Sequence, residues 1–85
     1  MDFIEDKIRQ RWTSGPYVIA QYPTGFFVYR YFKYRAGKRN SKRLHRDDEP
    51  LPSLEAAKLL IQQVANQPIP DGIVLINAPI MEVLE

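Results

Sequence analysis

The chain has no cysteine, a single histidine, a single tryptophan and only four glycines in 85 residues. Without cysteine there is no disulfide and no thiolate ligand, so packing alone must hold the fold. With His45 as the one histidine, neither a histidine-rich metal site nor a nucleophile–histidine triad can be assembled from several candidates. No glycine-rich phosphate loop is present. No apolar run approaches the roughly 20 residues that a membrane-spanning helix requires, and the acidic opening MDFIED lacks the basic and apolar parts of a signal peptide. At this length folding buries only about 60% of the surface that the unfolded chain exposes, which leaves little room for an enclosed catalytic cavity. The expectation is a single small domain over residues 1–85, cytoplasmic and away from membranes. It is expected to be no enzyme, with no catalytic residue, metal or cofactor. His45 beside Asp47, Asp48 and Glu49 could be drawn as a metal-dependent nuclease site, but these residues read as a solvated loop.

One further absence is local. Residues 26–46, FFVYRYFKYRAGKRNSKRLHR, contain eight cations and six aromatic rings but no acid. The net charge of +2 therefore conceals +8 within residues 30–46 and −6 elsewhere. An evenly mixed surface implies solubility; this segregation implies a one-sided electrostatic footprint.

The local signals lay out an α+β domain. Residues 1–12 read as a short amphipathic helix: Asp2 is an N-cap, Glu5 and Asp6 lie in the first turn, and Ile4, Ile8 and Trp12 repeat at four-residue spacing. Thr13-Ser14-Gly15-Pro16 stops it. Residues 17–46 read as a three-stranded antiparallel meander. YVIAQY (17–22) is the first strand, Pro23 and Gly25 make a hairpin turn, 26–35 is the second strand, 36–40 a second turn and 41–46 the third strand. Pro50 and Pro52 end the sheet. Ser53 caps a helix over 54–65, within a segment of 53–66. Its stripe of Leu54, Ala57, Ile61 and Val64, widened by Leu60, packs on the sheet. Residues 71–85 form an apolar tail in which Ile73 to Ile76 are an extra strand or a cover for an open edge. The expected order is α-β-β-β-α plus that tail.

Alternation divides the second strand into two faces. Phe26, Val28, Phe32 and Tyr34, with Arg30 among them, point toward the helix; Phe27, Tyr29, Tyr31, Lys33 and Arg35 point away. A one-residue bulge at Gly25 would exchange the two. With Arg43 and His45 from the third strand, Lys38 and Arg39 from the turn, and Lys42, the outward set is a candidate nucleic-acid-binding surface. Cations neutralise phosphates, tyrosines and arginines stack on bases, and a two- or three-stranded sheet fits the major groove of DNA. Leu44 alternates inward as an anchor.

The order of hairpin, basic turn, third strand and helix in YVIAQYPTGFFVYRYFKYRAGKRNSKRLHRDDEPLPSLEAAKLL resembles the arm-site DNA-binding domain at the N-terminus of lambda-type tyrosine recombinases and the related plant transcription-factor domain. The resemblance covers about residues 17–65 and rests on layout. It implies a sheet lying in the major groove, with Tyr31, Lys33, Arg35, Arg43 and His45 facing the bases, in a chain without the recombinase catalytic domain. The order α-β-β-β-α is also similar to that of the double-stranded-RNA-binding domain, which implies recognition of A-form shape. Where that family grips phosphates with lysines, this chain reads Pro52-Ser53-Leu54-Glu55. The expected function is a non-enzymatic module that binds duplex DNA, with duplex RNA as one alternative. The other is a protein-interaction module, phage- or mobile-element-like, that docks on an acidic partner or homodimerises weakly through strand pairing.

Overall fold

The computed structural model describes residues 2–46 and 48–79. Its elements, in order, are β1 (Ile4–Asp6), β2 (Arg11–Ser14), β3 (Tyr17–Tyr22), β4 (Gly25–Tyr34), β5 (Arg39–Arg43), α1 (Leu54–Ala65) and β6 (Ile73–Leu75). The first five strands form an antiparallel meander in sequence order, and β6 pairs with the far end of β4. The α+β class is as the sequence implies, but the sheet is larger than a three-stranded meander, and residues 2–12 form no helix.

Residues 4–14 are a hairpin instead. Asp6 decides its turn: its Oδ1 accepts the backbone N–H groups of Ile8 and Arg9, both at 3.1 Å. Gln10 takes a positive φ of 53°. A carboxylate that bonds the backbone two and three residues on competes with helix propagation. Tertiary packing completes the override, because β2 covers the edge of β3 and lays Trp12 opposite Ile19 and against the ring of Phe26. Ile8, expected in the middle of a buried stripe, is 77% exposed at the hairpin tip. The α-β-β-β-α order, on which the likeness to the RNA-binding domain rests, is therefore not that of the fold.

The β3–β4 hairpin pairs Tyr22 with Gly25 and runs without a bulge to Tyr17 opposite Arg30. Gly25 has φ +142°, and a Cβ there would meet the Leu51 carbonyl oxygen at 2.8 Å and Pro50 Cβ at 2.9 Å. The close approach is the Phe26–Leu51 bridge, two backbone hydrogen bonds of 3.0 and 2.8 Å that carry the chain from the sheet into α1. The third strand begins and ends earlier than 41–46. Leu44 still donates its N–H to the Val28 carbonyl at 2.9 Å, but the next ladder position is taken by a side chain.

Helix α1 starts where Ser53 caps it, with Ser53 Oγ accepting the Ala56 N–H at 3.1 Å. Ala57 and Ile61 are fully buried on Tyr17, Ile19 and Val28, and Leu54, Leu60, Val64, Leu44 and Phe26 pack around them. Phe32, also expected in the core, lies outside this cluster. Ile73–Leu75, the tail segment read as an extra strand or an edge cover, does form a strand, antiparallel to Phe32–Tyr34. The remainder of that tail, residues 80–85, lies outside the described residues. No helix among the described residues is long and apolar enough to cross a membrane.

Candidate nucleic-acid interface

Because no bulge intervenes, the two faces of β4 follow strict alternation. Val28 enters the helix-side core, while Phe27, also buried, is not part of it and lies on the opposite face. On that opposite face Tyr29 stands directly across from Arg43, Tyr31 from Ser41 and Lys33 from Arg39. From the other side of the sheet, Arg11 opposes Ala20 and Thr13 opposes Val18, both in register with Phe27 and Tyr29. The helix thus covers one face, and the other collects Arg11, Arg43, Arg39 and Lys33.

Arg43 is the most constrained cation of this face. Its guanidinium carbon lies 4.5 Å from the Phe27 ring centre and 5.1 Å from that of Tyr29, and its Nη2 donates to the Tyr29 hydroxyl at 2.7 Å. His45 stacks on Phe27 at 5.5 Å with an interplanar angle of 14°, and Tyr22 meets the same ring edge-on. Phe27 is therefore roofed by the fold's own side chains, which is how it reaches 6% exposure on a face without a helix. Cation–π contact and area burial both favour such a stack. The Phe27 ring is thereby closed off, and the Arg43 guanidinium is held against it and Tyr29.

His45 is not a free groove-facing side chain. Its Nε2 accepts the Val28 backbone N–H at 3.1 Å, which makes Nδ1 the protonated nitrogen and donor to the Glu49 carbonyl at 3.0 Å. The imidazole takes the place of a strand residue and closes the sheet edge over Val28. Lys42 opposes Arg30, so it belongs to the helix-side face rather than with Arg43. Arg39, expected in the turn, is the first residue of β5. Arg35 and Lys38 sit in the exposed turn between β4 and β5.

Two depressions meet at Tyr31. One, of about 70 Å³, lies among Arg9, Arg11, Thr13, Val18 and Tyr31; the other, of about 330 Å³, lies among Tyr31, Arg39, Asn40, Ser41 and Asn77. Pro79 also lines both. Asp6, on the rim of the smaller one, is paired with Arg9 at 3.4 Å. Arg11 escaped sequence reasoning because a helical reading put it on a cylinder, and Thr13 because it read as the stop after that helix. The Arg-Trp-Thr-Ser alternation and Asp6 as a turn former were the signals that could have found them.

Among the described residues no group of three or more histidine, cysteine or acidic side chains is placed to hold a metal ion. Comparison with known proteins brought no significant match to any family model, curated protein or solved structure.

Proposed function

We propose that this protein is a non-enzymatic nucleic-acid-binding module that takes duplex DNA on the sheet face opposite α1. The observation that carries the reading is the convergence of Arg11, Lys33, Arg39 and Arg43 on one face that the helix leaves uncovered. Arg11 and Arg43 lie on strands at opposite sides of the sheet, and the turn after β4 adds Arg35 and Lys38. Cations at this spacing meet several phosphates at once, and each contact releases condensed counterions. Arg43, pinned between Phe27 and Tyr29, presents its charge without the freedom an exposed arginine has to lose on binding. The segment β3-β4-β5-α1 keeps the strand and helix order of the recombinase arm-site domains that residues 17–65 resemble, which supports sheet-first docking.

Fluorescence anisotropy against a labelled DNA duplex at a series of salt concentrations tests this. With about five phosphates engaged, log K falls with log salt at a slope near −4 to −5. A duplex RNA and an acidic protein serve as competitors. No binding to the DNA duplex at low salt removes the proposal, and stronger binding to either competitor reassigns the face to that partner.

A further inference from the structure

Helix α1 is too short for the sheet it covers. Its 12 residues span about 18 Å, whereas the ten residues of β4 span about 33 Å. Val28 belongs to the core cluster beneath it and Phe26 packs against that cluster, whereas Phe32 and Tyr34 are not among its members. On the side of the sheet that carries the helix, Tyr34 is exposed and Arg30 and Phe32 are half-buried. Lys42 stands across from Arg30 and Asn40 across from Phe32, both exposed, while Leu75 and Ile73 of β6 flank Phe32 and Tyr34 on the other side. Tyr34 meets Phe32 edge-on at 5.6 Å and 89°, and it is 53% exposed. Neither Arg30 nor Lys42 has an ion pair among the described residues, and Arg30 Nε is buried with no hydrogen-bond partner.

We infer that this second surface binds single-stranded nucleic acid, with one base stacked on Tyr34 and the flanking phosphates on Lys42 and Arg30. A half-exposed ring braced by a perpendicular neighbour offers a rigid π-face, and ring stacking tolerates any base. The two unneutralised cations lie beside the rings along β4 and β5, with no acid among the strand residues of this surface, so the charge suits a polyanion and disfavours an acidic-rimmed apolar partner. This surface is distinct from the Arg11–Arg43 face because alternate residues of one strand point to opposite sides.

That separation makes the test clean. Anisotropy is measured with a labelled single strand of about 10 nucleotides and, in parallel, with a DNA duplex. Tyr34→Ala should weaken single-strand binding by roughly 5- to 100-fold and leave duplex binding unchanged, while Tyr34→Phe keeps the affinity. Arg43→Ala should affect the duplex and spare the single strand. Thermal melts of each variant verify folding, which an exposed Tyr34 leaves intact. Absence of single-strand binding by the unaltered protein overturns the inference, as does binding that Lys42→Ala weakens but Tyr34→Ala does not, since that would be attraction by charge alone. A duplex that fails to bind while the single strand binds would refute the proposed function and leave this surface standing.

Discussion

The His45 imidazole completes the β-sheet edge at Val28: its Nε2 accepts the Val28 N–H at 3.1 Å, in the position where a continuing β5 would have supplied a carbonyl. Val28 is fully buried, so its N–H has no access to water when that acceptor is removed. An unsatisfied buried donor costs about 1–3 kcal/mol. His45→Ala is therefore expected to destabilise the domain by about that amount, with a further loss from the Phe27 stack. In a domain of this size each kcal/mol lowers Tm by about 4–8 °C. Thermal denaturation followed by circular dichroism measures it, and a Tm within about 2 °C of the parent would refute the bond's importance.

Gly25→Ala tests the junction between sheet and helix. The new Cβ would meet the Leu51 carbonyl and Pro50 Cβ below 3.0 Å at φ +142°. Backbone on one side and a proline ring on the other leave little room to yield. The expected loss is about 1–3 kcal/mol, read from the urea midpoint with an unchanged m-value.

Arg43 and Tyr29 should be energetically coupled. A double-mutant cycle of Arg43→Ala and Tyr29→Phe is expected to give an interaction energy of about 0.5–3 kcal/mol. Arg43→Lys is not a conservative change here, because lysine loses the planar stack over Phe27 and the hydrogen bond to the Tyr29 hydroxyl. Additive effects of the two substitutions would show the contact to be incidental.

Arg11→Ala separates a strand from a helix in residues 4–14. If β2 delivers Arg11 to the binding face, its loss lowers the magnitude of the duplex salt slope by about 1 with no change in stability. Lys7→Ala, in the turn of the same hairpin, should leave the slope unaltered.

Residues 53–65 and 17–34 were legible because their determinants are neighbours in the chain. Ser53 needs only the Ala56 N–H three residues on, and Ala57 and Ile61 share a stripe through helical periodicity alone. Pro23 and Gly25 marked the turn, and strand alternation gave two candidate faces; the unbroken pairing from Tyr22–Gly25 to Tyr17–Arg30 fixed which of Phe26 and Val28 or Phe27 and Tyr29 faces the helix. The same alternation placed Tyr29, Tyr31, Lys33 and Arg43 together.

Residues 4–14 were not legible in that way. The spacing of Ile4, Ile8 and Trp12 suits a helix, and only the open edge of β3 and the Phe26 ring make a strand of Trp12 the better arrangement. His45 alternates like a surface residue, and nothing near it in the chain announces that Val28 lacks an acceptor. The alternation of aromatics in β4 assigned Phe32 to the core and pointed Tyr34 the same way, but neither joins the cluster around Ala57 and Ile61. By itself the sequence determined periods, caps, turns and the two faces of a basic strand, since these depend on torsional preference and nearest neighbours. Which edges are covered, how far the helix extends over the sheet and which cations share a face were decided by the tertiary structure, because each depends on burial between segments that are remote along the chain.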